Sequence, residues 1–317
     1  MSQKQARDQG SGRGLTVYAQ LFLGMATFGS ATPVSKIVTG ALPVFVGSGL
    51  RVALGALALA PFALRHRHQI RDVSRRDWLL IALISLFGMF GFSALMLYGM
   101  AMVSGVAGAI VMSTAPAVTA AVSILLLGDR ATWLKLTAIA LAVGGVLLLH
   151  LGRTDGSGGE GGPGEDETLL LGSLLVFAAV CCEVAYTLLG KQVSERVDPV
   201  LVAFLAAALA VPAFLPFALW QWPQVDLSAV GWGAWAAVAW YGVGTLALGS
   251  WLWYAGIAKA EGTVAAAFMG VMPASALVLS YLLLGESFRW IHLAGFLTVF
   301  VGVLLMSWEH ARMARAR

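Results

Sequence analysis

Leu125-Leu126-Leu127-Gly128-Asp129 recurs 157 positions later as Leu282-Leu283-Leu284-Gly285-Glu286. The same offset aligns residues 99–149 with residues 256–306 without a gap. Further identical pairs at this offset are Gly99 and Gly256, Gly105 and Gly262, Met112 and Met269, Pro116 and Pro273, Ser123 and Ser280, Trp133 and Trp290, and Gly145 and Gly302. Upstream, Pro61-Phe62-Ala63-Leu64 recurs as Pro216-Phe217-Ala218-Leu219, and Lys36 corresponds to Lys191. The chain therefore consists of two homologous halves.

The composition excludes a soluble domain. Hydrophobic residues make up 59% of the chain and charged residues only 11%, against about 25% charged in an average soluble domain. Apolar stretches of about 20 residues, long enough to cross a hydrocarbon core of roughly 30 Å as helices, occur ten times. They are Leu15–Ile37, Leu42–Leu64, Trp78–Met100, Val106–Leu127, Trp133–Leu151, Thr168–Gly190, Val200–Leu219, Trp232–Ala255, Thr263–Leu284 and Trp290–Trp308. We therefore predict an all-α integral membrane protein with ten transmembrane helices.

The first segment follows basic residues, as a secretory signal does, but its apolar run is long and nine more segments follow, so we interpret it as a span. The adjacent Cys181 and Cys182 have no second pair at metal-ligand spacing. We interpret both cysteines as ordinary core residues.

The distribution of lysine and arginine predicts the orientation. With ten spans, 16 of the 20 Lys and Arg residues fall on the side that holds both termini and the loop from Arg65 to Arg76. The opposite side holds only Lys36, Arg153 and Arg289, and Arg51 lies inside a span. The positive-inside rule then predicts a multi-pass protein of the inner (plasma) membrane with both termini cytoplasmic. Topology explains the pI near 9.3 better than nucleic-acid binding does.

Five spans per half is an odd number, so the second half must be inverted relative to the first. The predicted organisation is an N-terminal cytoplasmic tail (1–14), a first five-helix repeat (15–151), a flexible periplasmic linker rich in glycine and acidic residues (152–167), a second five-helix repeat (168–308) and a basic cytoplasmic tail (309–317). Transporters use such inverted repeats to form a substrate site at the repeat interface.

Each half has a proline-containing fourth span that ends in Leu-Leu-Leu-Gly-acid, followed by a glycine-containing last span. In this pattern the chain resembles the EamA family of the drug/metabolite transporter superfamily. Phe28-Gly29, Lys36 and Arg51 add to the resemblance, which extends from about Leu15 to Ser307. It implies an inner-membrane exporter of amino acids or other metabolites. Glu183 departs from the family, in which many members have a small or aromatic residue at this position.

Glu183 is the only carboxylate well inside a predicted span. A buried ionisable group in a span is a candidate functional residue. We hypothesise that Glu183 binds a substrate amine or takes up a coupling proton, and the alternative is a salt bridge with Arg51. Arg51 itself could bind a substrate carboxylate or anchor its helix.

Aromatic and hydroxyl side chains in the spans could line a cavity with Glu183. An aromatic cavity with a few hydroxyls and one acid would suit an amphipathic molecule such as an apolar or aromatic amino acid. The candidates are Tyr98, Ser113, Tyr186, Trp240, Tyr241 and Trp251.

Pro116 and Pro273 lie in mid-span at corresponding positions, and each frees a backbone carbonyl one turn earlier. We expect helix kinks at both. Small residues every four positions form packing stripes that let helices approach closely, either for static packing or for movement of one helix past another. These stripes include Gly105 and Ala109 in the first half and Gly262, Ala266 and Gly270 in the second.

The leading functional prediction is a secondary active transporter that exports amino acids or related metabolites by alternating access. Alternatives are efflux of drugs or lipid-like substrates, and a membrane protein without transport activity. A membrane enzyme would require clustered Asp, His or Glu at one membrane face, which the sequence lacks. We therefore predict no catalytic residues, metal or cofactor. The expected partners are a small-molecule substrate, the lipid bilayer and a coupling proton but no nucleic acid, with the chain a monomer or homodimer.

Overall fold

The computed structural model describes residues 3–126, 131–151, 165–194, 196–257, 259–260, 264 and 268–315. Its α-helices are α1 Gln3–Gly29, α2 Ala31–Thr39, α3 Val44–Ala63, α4 Arg75–Ile84, α5 Phe92–Met102, α6 Gly105–Met112, α7 Ala115–Leu126, α8 Trp133–Leu151, α9 Glu165–Ser194, α10 Pro199–Gln221, α11 Trp232–Ala239, α12 Gly249–Ile257, α13 Val271–Leu284 and α14 Trp290–Arg315. Two short 3₁₀ helices cover Leu64–Asp72 and Trp222–Gln224, and two π-helical segments cover Ser85–Gly91 and Trp240–Leu248.

The protein is an all-helical membrane protein. Among the described residues, seven continuous helical segments are long and apolar enough to cross a membrane, and two shorter apolar helices, Trp133–Leu148 and Val271–Leu284, accompany them. The predicted eighth span is helical from Trp232 to Ile257. Part of the predicted ninth span and most of the predicted linker lie outside the described residues. The helix of the first span begins at Gln3, within the predicted N-terminal tail.

The helices correspond to the ten predicted spans in chain order. In the first half, α1 and α2 form span one, α3 forms span two, α4 and α5 form span three, α6 and α7 form span four, and α8 forms span five. In the second half, α9 forms span six, α10 forms span seven, α11 and α12 form span eight, α13 lies in span nine, and α14 forms span ten. Spans two and seven pack against each other, as do spans five and ten. Span three packs against span six, and correspondingly span eight packs against span one. The helix contacts thus follow the two-fold relation that the sequence repeat predicts.

Corresponding helices of the two halves run antiparallel. A Cβ atom added at Gly145 of α8 would lie 2.6 Å from the Gly295 carbonyl oxygen, and one at Gly302 would lie 3.1 Å from the Ala138 carbonyl oxygen. Residue numbers therefore rise along α8 as they fall along α14. Gly302 and Gly295 are the repeat counterparts of Gly145 and Ala138, so the crossing is symmetric. The second half is inverted relative to the first, as predicted.

The interruptions of the helices also repeat. α6 ends at Met112 and α7 begins at Ala115, while α13 begins at Val271 directly after a turn at Met269 and Gly270. Each interruption lies just before a proline, Pro116 or Pro273, whose missing N–H leaves a carbonyl one turn earlier without its usual partner. Span one has a third interruption, at Ser30, just before Pro33. Its counterpart, span six, has no such proline and is a single helix.

The two π-helical segments lie at corresponding places in spans three and eight, since an offset of 157 carries residues 85–91 onto 242–248. Such segments widen the helix locally and are frequent at functional sites. The first packs against α9 and α10, and the second against α3 and α12. The first segment therefore contacts two spans of the second half, and the second segment contacts span two of the first half.

Candidate functional site

Arg51 is a buried cation in the middle of the bundle. It lies on α3, and only 6% of its surface is exposed. Its Nη1 donates a hydrogen bond to Ser93 Oγ on α5. The guanidinium carbon lies 4.5 Å from the centre of the Tyr241 ring and 5.4 Å from that of Phe92, distances at which aromatic faces attract a cation. Residues of spans three and eight therefore hold the Arg51 guanidinium of span two in place.

Glu183 lies on α9 near this cation. Its neighbour Cys182 packs on Gly91, which directly precedes the Phe92 and Ser93 that contact Arg51. No ion pair or hydrogen bond between Glu183 and Arg51 is found among the contacts of the described residues. Glu183 Oε2 is buried without a hydrogen-bond partner in the described part of the chain, and so is Arg51 Nε. The direct salt bridge considered from the sequence is therefore absent in this conformation.

The π-helical segment of span eight carries two of the predicted aromatic candidates. Tyr241 is completely buried, and its hydroxyl has no hydrogen-bond partner among the described residues. Its neighbour Trp240 donates from Nε1 to Ser30 Oγ at 2.8 Å, which ties span eight to the interruption in span one. Trp251, one of the predicted lining residues, lies further along on α12 and is 48% exposed.

The two remaining tyrosine candidates, Tyr98 and Tyr186, make different contacts. Tyr186 packs closely on Gly88, in the π-helical segment of span three. Tyr98 lies near the end of α5, where its hydroxyl accepts a 3.4 Å hydrogen bond from Gln221 Nε2. Gln221 Oε1 also accepts from the Phe45 backbone N–H at 2.7 Å. The structure therefore places Tyr186 near the centre, and Tyr98 in a connection between spans two, three and seven.

The repeat provides an internal comparison for the two charges. An offset of 155, the spacing of Pro61 and Pro216, pairs Arg51 with Ala206 and Glu183 with Phe28. Ala206 is fully buried in the apolar core. Phe28 packs on Gly249, where an added Cβ would lie 3.0 Å from the ring. Since small or apolar residues fill the equivalent places, the packing of this fold does not require the charges at Arg51 and Glu183.

A second polar cluster joins the two halves at the end of the bundle that holds the turn between spans three and four. Both carboxylate oxygens of Glu286 accept backbone N–H groups at the start of α6, one from Gly105 and one from Val106 at 3.0 Å. Lys36 Nζ donates to the Met100 carbonyl at 2.8 Å, at the end of α5. The charges lie near complementary helix termini: the carboxylate at a helix N-terminus and the ammonium at a helix C-terminus.

The predicted packing residues are buried where the structure describes them. Ala109 is inaccessible, Ser113 is 3% exposed and donates to the Ala109 carbonyl, and Gly270 is buried. Gly105 packs on Leu284 and Ser280 of α13, so spans four and nine touch at this stripe. Gly262 and Ala266 lie outside the described residues. Within the described ranges, no group of His, Cys, Asp and Glu side chains could hold a metal ion.

Sequence reasoning missed two features of the site. Glu286 stands in the repeated Leu-Leu-Leu-Gly-acid motif, so the repeat itself could have drawn attention to its role at the start of α6. Gln221 had no comparable signal, because it ends an ordinary apolar span.

The fold and this geometry agree with the comparisons with known proteins. The model of the EamA-like transporter family matches residues 15–151 and 170–308. The chain belongs to the EamA-like transporter family. It is therefore a multi-pass membrane transporter of a small-molecule substrate and not an enzyme. Both matches fall on the two halves that the internal repeat defines.

Several proteins resemble this EamA-family chain over nearly its whole length. The uncharacterized transporter YetK of Bacillus subtilis (strain 168) is 30% identical over 288 residues, covering 91% of this chain and 86% of that protein. The uncharacterized transporter YyaM of the same organism is 25% identical and covers 92% of this chain and 94% of its own length. A solved crystal structure of another protein has a TM-score of 0.61 at 16% identity, covering 93% of this chain and 97% of that one. This last similarity shows the fold alone.

Proposed function

We propose that this EamA-family chain is a secondary active transporter that exports amino acids or related small metabolites from the cytoplasm by alternating access between its two halves. The observation that carries the proposal is the antiparallel, symmetric packing of corresponding helices around a polar centre. Such an arrangement has two equivalent packings, one open to each side, because exchanging the roles of the halves turns one into the other.

The polar centre supports a soluble, charged or dipolar substrate. Arg51 and Glu183 are charged groups that packing does not require, and buried charges that are not paired with an opposite charge are costly unless a ligand or an ion compensates them. Glu183 is also the candidate to take up a coupling proton. The aromatic rings of Phe92 and Tyr241 beside Arg51 suit a substrate with an apolar part.

Transport into proteoliposomes tests this function. The purified chain is reconstituted, and uptake of labelled amino acids is measured with and without a pH gradient, aromatic and branched-chain members first. We expect saturable uptake of one class that the gradient accelerates, with protein-free liposomes as the control. Uptake restricted to hydrophobic drugs or lipid analogues would replace this proposal with efflux of such compounds. No uptake of any compound would point to a membrane protein without transport activity.

A further inference from the structure

We propose that Arg51 and Glu183 form a binding site for a small zwitterion, such as an α-amino acid, whose carboxylate pairs with Arg51 and whose ammonium pairs with Glu183. The inference rests on the proposed transport function and deepens it by naming the substrate class. It follows from the unsatisfied atoms of the two side chains, from the groups that hold them, and from the internal comparison that the repeat provides.

The Arg51 guanidinium is fixed with one edge occupied and another unsatisfied. Nη1 donates to Ser93, while Nε is buried without a hydrogen-bond partner among the described residues. The rings of Phe92 and Tyr241 pack near the guanidinium. An arginine held in this way presents a planar pair of donors that matches a carboxylate better than an ammonium group would. The edge that includes Nε is therefore a carboxylate-binding edge.

Glu183 supplies the opposite charge from another span. Its Oε2 is buried without a hydrogen-bond partner in the described part of the chain. The neighbouring Cys182 packs on Gly91, next to the Phe92 and Ser93 that contact Arg51. Two opposite buried charges that do not touch each other each retain much of their desolvation cost. A ligand carrying one negative and one positive group compensates both charges, whereas an amine or an acid alone compensates only one.

The repeat argues that these charges serve a ligand rather than the fold. The equivalent positions in the other half hold Ala206 and Phe28, both within the packed bundle. The corresponding places in the other half of the bundle are therefore filled without a charge. If the two charges served only the structure, their side chains would also be expected to form a direct ion pair. No such contact between Arg51 and Glu183 is found among the described residues.

Ligand binding to the full chain in lipid nanodiscs tests the site. One probe series is L-phenylalanine, 2-phenylethylamine and 3-phenylpropionate, which share a hydrocarbon body and differ in charge. A second series is L-leucine, isopentylamine and 4-methylpentanoate. We expect the zwitterion in at least one series to bind about tenfold or more tightly than either of its analogues, since each analogue lacks one charge-assisted contact.

Each charge-removing variant should weaken binding of the probes that pair with the lost charge and leave the remaining probe unchanged. Glu183→Gln is expected to weaken binding of the amino acid and the amine about tenfold to a hundredfold, and to leave the acid unchanged. Arg51→Gln should weaken binding of the amino acid and the acid but leave the amine unchanged. Asp226→Asn, on an exposed loop, is the matched control. If a charge-removing variant fails to fold, Arg51→Lys and Glu183→Asp should retain part of the preference.

Several results would overturn the site. They are equal affinities for zwitterion, amine and acid, an equal effect of both variants on all three probes, and the absence of binding by every probe of both series. The proteoliposome assay keeps the proposed function separate. A chain that transports a metabolite while its ligand preference ignores Arg51 and Glu183 would retain the transport function and lose this site.

Discussion

Asp77 and Arg196 form an ion pair whose two partners differ in burial. The Asp77 side chain is 4% exposed and that of Arg196 is 47% exposed. Arg196 Nε donates to Asp77 Oδ1 at 3.1 Å, and Ser74 Oγ donates to Asp77 Oδ2 at 2.7 Å. The pair joins the start of α4 to the turn between spans six and seven. Water can solvate the arginine if the pair is broken, but it reaches the aspartate poorly.

Removing the arginine should therefore cost more stability than neutralising the aspartate. We expect Arg196→Ala to lower the free energy of unfolding by about 2–3 kcal/mol, because it leaves a buried carboxylate poorly compensated. Asp77→Asn should cost about 1 kcal/mol, because the Arg196 guanidinium is half exposed and water solvates it. Thermal unfolding of the variants in one detergent measures the difference. Arg75→Ala, at an exposed position of the same helix, is the control, and an equal loss in both variants would contradict the argument.

A sequence shows which single residues place a charge inside a span, but it does not show which side chains those charged residues contact. Glu183 and Arg51 could be selected because ionisable groups are costly in hydrocarbon. Whether they touch depends on helix rotation, which apolar composition does not specify when every face is apolar. For the same reason nothing in the sequence distinguishes Ser93 from the other hydroxyl residues of the spans, whereas in the structure it accepts a hydrogen bond from Arg51.

Two adjacent glycines on α8 test the helix crossing at the element scale. A methyl group on Gly145 would overlap Val299 of α14, whereas one on Gly144 would meet only Thr298, at 3.9 Å. We expect Gly145→Ala to destabilise the protein by about 1–3 kcal/mol through overpacking. Gly144→Ala should be neutral or stabilising by up to about 1 kcal/mol, because alanine favours the helix. Thermal unfolding compares them, and equal effects would refute the close crossing of α8 and α14.

The contact between Glu286 and the start of α6 is the other testable junction between elements. In this structure Ser113, at the other end of α6, is only 3% exposed. Glu286→Ala removes a charged cap and should cost this arrangement, in which Ser113 is buried, about 1 kcal/mol, or several-fold in its population. A cysteine at Ser113, in a chain without Cys181 and Cys182, reports opening through its labelling by a bulky water-soluble maleimide. Labelling should rise several-fold in Glu286→Ala and stay constant in the control Ser287→Ala. Unchanged labelling would mean that the cap does not hold this end closed.

At the scale of elements, the interruptions in span four and before α13 have a marker in the sequence, because each lies beside a proline. Pro116 and Pro273 remove a donor in a place where no water can replace it, so a local break follows from chemistry alone. The π-helical segments at Ser85–Gly91 and Trp240–Leu248 have no such marker. Glycine-containing apolar segments form α- or π-helical turns according to the neighbours that they pack against.

The two-fold relation between the halves operates at the scale of the whole molecule. It could be predicted from the repeat because an odd number of spans per half requires inversion. The structure adds that counterparts cross each other symmetrically, as Gly145 and Gly302 do, and that the central charges break the symmetry. The homologous halves keep the same helix arrangement although each contributes one central charge, Arg51 or Glu183, whose counterpart in the other half, Ala206 or Phe28, is uncharged.

Orientation in the membrane is a further property of the whole molecule, and the charges predict it. Since 16 of 20 Lys and Arg residues lie on one side of the ten predicted spans, that side should be cytoplasmic. A green fluorescent protein fused after Arg317 should therefore fluoresce, and alkaline phosphatase fused after Arg153 should be active. These outcomes would put the polar cluster of Glu286 and Lys36 on the outer side, opposite the Asp77–Arg196 pair. Phosphatase activity at the C-terminus, or reporters that place both fusion points on one side, would contradict the predicted topology and with it the direction of export.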